Sequence, residues 1–191
     1  MGKYTTKLID TDTIKKIILA VREGYTHDGI KHRPNAQLAT ILLLQANLGC
    51  RIGDIVNMKV ESVVYDGEAW RLNIFEEKTG KARPFLVPTP VKQMIDDYCK
   101  ANHIESGRLF KITEQAVWKQ MRYVTKYLGL SETSCHSLRK AAGLRIYLES
   151  GKDIALTTDF YNHSSTAVTM KYLHRSSKQM DEAISKSTVI F

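Results

Sequence analysis

Residues 134 to 147 read SCHSLRKAAGLRIY, with a histidine and an arginine three positions apart at the start of an apolar run. Residues three apart share one face of a helix, so His136 and Arg139 project together while Leu138, Ala141 and Ala142 turn toward a core. A helix entrance also carries unpaired amides and the positive end of the dipole. Two proton donors aimed the same way from such a place suit an anion, and a phosphate best of all. An isolated HxxR is weak evidence, because a histidine near an N-terminus and a solvated arginine satisfy it as well.

Other residues with chemical potential are scattered through the chain. Arg51 follows NLGC and sits beside Ile52, Ile55 and Val56, where an unpaired guanidinium is costly. It needs a partner, and Asp54, three residues on, offers a helix ion pair. Lys78 occupies the tip of a tight turn, KTGK, where a solvated lysine is ordinary. His163 and Tyr172 lie nine residues apart across NHSSTAVTMKY, and Tyr172 is one of nine tyrosines, most of which belong in a core or at its rim.

Composition narrows the partners. The chain has 28 Lys and Arg against 20 Asp and Glu, a net charge of +8, which favours a polyanion, with nucleic acid ahead of a membrane surface. Cys50, Cys99 and Cys135 are far apart and never form a CxxC pair, so neither a disulfide framework nor a thiolate zinc site is indicated. A reducing, cytoplasmic setting is expected. The apolar run ATILLL at 39 to 44 is too short to span a bilayer, and no signal-peptide pattern opens the chain, so no membrane partner is expected. His27 and His32 are spaced loosely enough for a zinc pair, but nothing completes four ligands, and no metal or other cofactor is expected. The opening Met-Gly reads as an expression remnant ahead of a longer natural chain cut near residue 3.

These residues need elements to position them. Ile14, Ile17, Ile18 and Val21 follow helical spacing behind DTDT, which caps a first helix ending near Gly24. YTHDGIKHRPN is polar and turn-rich, AQLATILLLQANLG reads as a buried helix stopped by Gly49, and RIGDIVNM begins a short helix at Arg51. The period then changes. Trp70, Leu72 and Ile74 alternate with polar neighbours after the Asp66-Gly67 turn, and the turn at 78 to 81 leads into ARPFLVP, an edge strand by its prolines. Helical spacing returns at Val91, Met94, Ile95 and Tyr98, again at Val117, Met121, Val124 and Leu128, and then near 136–149, 152–161, 166–174 and 178–186. The expected fold is α+β and mainly α-helical, a single domain over 1–191 with a small three-stranded antiparallel sheet on one side.

Together and in order, LGCRIGD, the lysine of EEKTGK, HSLR, NHSS and MKYLH resemble the signature segments of the tyrosine recombinase or phage integrase family, across residues 10 to 180. The resemblance implies that Arg51 and Arg139 clamp a phosphate, His136 acts as base, His163 donates a hydrogen bond, Lys78 protonates the departing 5′ oxygen and Tyr172 is the nucleophile. Asp54 falls where the family braces its first arginine with an acid. Asn162 stands where glycine is frequent and Lys140 where histidine is frequent. There is no room for the family's N-terminal DNA-gripping domain, so the resemblance implies a catalytic fragment.

The activity implied is site-specific strand exchange on double-stranded DNA through a 3′-phosphotyrosyl bond, without metal or ATP. A homotetramer on two duplexes would perform it, from a protein monomeric when free. Two other readings stay open: a type IB topoisomerase-like nicking and resealing enzyme, and a non-catalytic DNA-binding module. The apolar end, Val189, Ile190 and Phe191, suits docking on a neighbouring protomer or folding back on its own core.

Overall fold

Ile14, Ile17, Ile18 and Val21 form the buried face of helix α1 (Thr11–Glu23). The Asp10 carboxylate accepts from the Thr13 amide at 2.7 Å, satisfying one of the free donors of the first turn. Helix α2 (Ala36–Leu48) is capped by Asn35, which accepts from Leu38 N at 2.9 Å, and is buried on most sides. Its last turn closes on Gly49, whose φ of 60° is left-handed and turns the chain into Arg51 and the five-residue helix α3 (Ile52–Val56).

The polar segment between α1 and α2 is a hairpin rather than an irregular turn. Strands β1 (Tyr25–His27) and β2 (Ile30–His32) pair antiparallel around Asp28-Gly29, both at positive φ, as a two-residue hairpin loop requires. A second pair, β3 (Val63–Tyr65) and β4 (Trp70–Leu72), follows α3. The expected third strand of that sheet is absent as a strand. Residues 82–87 run beside β4 through single bridges, Arg71 to Leu86 and Phe75 to Ala82, with Leu72 N bonded to Phe85 O and Val87 N to Trp70 O, both at 2.8 Å. Pro84 and Pro88 have no amide to give, so the ladder cannot lengthen. Among the described residues the sheet content is two two-stranded sheets, not one of three.

The remaining elements are helical: α4 (Thr89–Ala101), α5 (Glu114–Tyr127), α6 (Cys135–Glu149), α7 (Ile154–Tyr161) and α8 (Thr166–Leu173). The computed structural model describes residues 7–173, so the helix expected over 178–186 and the end at Val189, Ile190 and Phe191 lie outside the described residues. The chain divides into two compact units, Met1–Ala142 and Gly143–Phe191. In the first, Ile17, Ile41, Leu42, Ile55, Val117, Val124 and Leu138 are fully buried in one continuous core. In the second, α7 and α8 pack through buried threonines, with Thr158 Oγ1 and Thr169 Oγ1 2.9 Å apart. Among the described residues no helix is long and apolar enough to cross a membrane.

Candidate active site

The C-terminus of α2 leaves carbonyls without intrahelical donors and the negative end of a dipole. Two buried arginines answer it. Arg83 Nη2 donates to Leu48 O at 2.9 Å, and Arg139 Nη1 donates to Gly49 O. Each is only 1% exposed, which accounts for guanidinium groups inside an otherwise apolar core. The folding requirement of one helix end therefore fixes Arg139 beside the segment that delivers Arg51.

Arg51 precedes α3 with an extended backbone (φ −67°, ψ 153°). Its Nη1 donates to Glu76 Oε2 at 2.5 Å, while Arg83 Nη1 donates to Glu76 Oε1 at 3.1 Å. The carboxylate that braces the Arg51 guanidinium is thus Glu76, not Asp54. Asp54 instead accepts from the Arg51 amide at 3.3 Å and the Glu77 amide at 3.0 Å, so it ties the start of α3 to the following hairpin. Burial, the largest influence, pushes the Asp54 carboxyl above its usual range, and the charge of Glu76 adds to this against the two amides. For Glu76, burial is again the largest single influence and pushes upward. Hydrogen bonds from Arg51 and Thr79 and the charges of Arg51 and Arg83 together outweigh it and hold the acid below its usual range.

Lys78 stands exposed on the turn that Glu76 opens, closed by Gly80 N to Glu76 O at 2.7 Å and Glu76 N to Lys81 O at 2.9 Å. His136 sits in the first turn of α6, where Ser134 Oγ accepts its amide at 3.2 Å. Arg51, Lys78, His136 and Arg139 line one cleft of about 460 Å³ together with Gln45, Glu114 and Trp118. The imidazole pKa is pulled down to about 4, by desolvation first and then by the charges of Lys140, Arg139, Arg51 and Lys78. Because the His136 ring keeps an accessible face, the four cations are the firmer cause, and they favour the neutral ring however much water reaches it. Burial pushes the Lys140 ammonium down as well.

His163 and Tyr172 belong to the second unit. Their rings lie 5.0 Å apart at 79°, edge to face, and Tyr161 joins both, stacked on His163 at 4.8 Å and edge-on to Tyr172 at 4.9 Å. His163 Nδ1 is 3.0 Å from Thr169 Oγ1, which fixes the ring's rotation. Asn162 ends α7 in the left-handed region, φ 56° and ψ 38°, which explains why glycine suits this position and why asparagine substitutes for it. Tyr161 is fully buried against Gly143, where an added Cβ would lie 1.9 Å from the tyrosine Cζ. His27 and His32 join a different aromatic group, His32 stacked on Tyr25 at 4.4 Å and His27 edge-on to Tyr127 at 6.0 Å.

The sequence pattern identified the four cleft residues and missed Glu76, Arg83 and Tyr161. A partial signal existed for the first two: Arg83 opens an apolar segment, ARPFLVP, and the carboxylates nearest to it in sequence are the Glu76 and Glu77 of EEKTGK, though the sequence does not say which of them pairs.

The family model described as the Phage integrase family matches residues 7–179, and the chain belongs to that family. Among its relatives, the probable integrase/recombinase YoeC of Bacillus subtilis is 32% identical over 140 residues, covering 70% of this chain and 75% of that protein. The tyrosine recombinase XerA of Pyrococcus furiosus is 24% identical, covering 98% of this chain and 64% of its own. The XerH site-specific recombinase, solved bound to its difH substrate, shares the fold with a TM-score of 0.69 at 16% identity, over 96% of this chain and 55% of that one. The chain therefore spans about two thirds of XerA and little more than half of XerH.

Proposed function

We propose that this chain is the catalytic part of a site-specific DNA recombinase, which cuts and rejoins double-stranded DNA through a 3′-phosphotyrosyl intermediate formed by Tyr172. The observation that carries this reading is the shared cleft of Arg51, Lys78, His136 and Arg139 at the entrance of α6. Charge grows on the non-bridging phosphate oxygens as the nucleophile arrives. Two guanidinium groups held in fixed positions stabilise it with charge-assisted, planar donors, without need of a metal ion.

Each proton has a place to go. The Tyr172 phenol, with an ordinary pKa near 10, must lose its proton as Oη bonds to phosphorus, and neutral His136 is the acceptor. A phosphodiester in the cleft offsets the surrounding cations and raises the basicity of that imidazole when the proton is to be taken. His163 donates to a phosphate oxygen. As the bond from phosphorus to the 5′ oxygen breaks, Lys78 protonates the oxygen. The phosphotyrosyl bond retains the energy of the original linkage, so a 5′ hydroxyl of another strand reverses the reaction without ATP. Four protomers on two duplexes would carry the exchange, assembled from monomers. Likeness to XerA and YoeC, whose names record recombination, supports strand exchange over topoisomerase-like resealing.

The test takes a duplex enriched by the protein from a random-sequence pool, nicks it so that the cleaved end diffuses away, and incubates it without divalent metal. A covalent protein–DNA band is expected with the wild type and not with Tyr172→Phe. Joining of strands from two duplexes then separates recombination from resealing. Tight binding with no band from either protein would overturn the reading in favour of a DNA-binding module.

A further inference from the structure

The hairpin that carries Lys78 and the helix that presents Arg51 meet on one carboxylate. Glu76 is wholly buried, and its two oxygens are divided between three donors. Oε1 accepts from Arg83 Nη1 at 3.1 Å. Oε2 accepts both from Arg51 Nη1 and from Thr79 Oγ1, the latter at 2.9 Å. Thr79 is the residue directly after Lys78, and the Thr79 and Gly80 amides also close on Glu76 O at 3.2 and 2.7 Å.

We propose that Glu76 is a positioning residue that couples the phosphate-holding arginine to the proton donor, so that the place of Lys78 is set by the carboxylate that orients Arg51. The inference rests on the recombinase reading above and adds to it a residue to which the family resemblance assigns no role.

Three features support the coupling. Lys78 is exposed on a four-carbon stem, and among the described residues it forms no ion pair that could fix its ammonium. Its position therefore comes from the turn beneath it. That turn is closed at its base by the Glu76 backbone and at its tip by the Glu76 side chain, so a single residue determines its shape. The charge balance also fits: one carboxylate shared by two guanidinium groups leaves a net positive charge. Arg51 is thereby oriented without being neutralised, and keeps its attraction for phosphate.

The experiment separates loss of the proton donor from loss of the clamp. On an ordinary phosphodiester the bond from Tyr172 Oη to phosphorus forms, the phenolic proton passes to His136, and the departing 5′ oxygen takes a proton from Lys78. On a duplex with sulfur in place of that bridging 5′ oxygen, the phosphorus–sulfur bond breaks and the thiolate leaves without a proton. Thr79→Val removes one hydroxyl from an exposed residue and leaves Arg51, Glu76 and Arg83 paired. It is expected to slow cleavage of the ordinary duplex about 10-fold, a fraction of what a general acid contributes, and to cleave the sulfur duplex at the wild-type rate. Lys78→Ala should show the same pattern more strongly, and Glu76→Gln should lose more on the ordinary duplex than on the sulfur duplex.

Equal losses of Thr79→Val on both duplexes, or no loss on either, would overturn the coupling. So would a Lys78→Ala defect that sulfur does not relieve. Because Thr79 is exposed, its variant answers the question even where Glu76→Gln fails to fold. Absence of a covalent band from the wild type on both duplexes is a separate outcome, and it sinks the recombinase reading along with this one.

Discussion

Two regions place the chain's candidate site residues in different surroundings, one mainly charged and one mainly aromatic. In the first unit, Arg51 and Arg139 are fixed by charged hydrogen bonds to Glu76 and to the Gly49 carbonyl, inside a core where Arg83 and Glu76 have no exposed surface. In the second, His163 and Tyr172 share ring contacts with Tyr161 and with each other, and His163 Nδ1 lies 3.0 Å from Thr169 Oγ1. Charged hydrogen bonds are strong and directional, and a buried one leaves an uncompensated group when its partner goes. Ring contacts are graded, and tolerate sliding at small cost. Arg51 and Arg139, the proposed phosphate clamp, are thus built into a rigid electrostatic lattice. Tyr172, the proposed nucleophile, sits among rings.

The contrast breaks most decisively at Arg83. Arg83→Ala deprives Glu76 of one cation and the Leu48 carbonyl of its donor, and is expected to cost on the order of 3–5 kcal/mol in urea unfolding. The apolar double replacement Glu76→Leu/Arg83→Leu should cost less than Arg83→Ala alone, because it removes the buried carboxylate that Arg83→Ala leaves short of a cation, while Arg51, partly exposed, can turn to water. A single-variant loss below about 1 kcal/mol would mean that the Arg83–Glu76 pair does not carry the stability of this core.

The second unit should respond to shape instead. Gly143→Ala drives a methyl group into the Tyr161 ring, for an expected cost of about 1–3 kcal/mol, and Tyr161→Val in the same chain should restore part of it. Additive losses in that double-mutant cycle would break the picture of a ring packed on glycine.

What the sequence disclosed follows the same division. Helices with apolar periodicity, such as α1, α4 and α5, were legible because their inner faces are fixed by local spacing. The β1–β2 hairpin was not, although Asp28-Gly29 is the same turn signal as Asp66-Gly67. Its three-residue strands lack alternation, and they are held by Tyr25 stacked on Tyr127 and His32 tilted against Tyr123 of α5, a tertiary effect. In the cleft, Arg51, Lys78, His136 and Arg139 were legible as motif letters. Glu76 was not, because only the side of the chain that a carboxylate faces separates it, wholly buried, from exposed Glu77. Asp54 was given the guanidinium by a helix-spacing rule that does not apply to Arg51. That residue precedes the helix in extended backbone, so the acid three positions on reaches its amide.

Asn162 offers a smaller and sharper probe of the second unit. Asn162→Ala should cost about 1 kcal/mol, because alanine resists the left-handed region, whereas Asn162→Gly should be close to neutral. An equal loss from both would assign the role of Asn162 to its side chain, not to its backbone.

The smallest expected effect lies in the first unit, where the crowding of cations should be visible as pH dependence. His136 has a pKa of about 4 in the folded chain against an ordinary 6.5. Between those values the unfolded chain binds the extra proton and the folded chain does not. Stability therefore rises with pH through that window and is lost as pH falls from 6.5 toward 4. His136→Gln should narrow the difference in urea midpoint between pH 7 and pH 5, and only modestly, because the ring is partly open to water. An NMR titration of His136 near 6.5 would remove the electrostatic lattice from the explanation. A midpoint near 4 that climbs when inorganic phosphate is added, and does not climb in Arg139→Gln, would show that the cations depressing the imidazole are the ones that receive the anion.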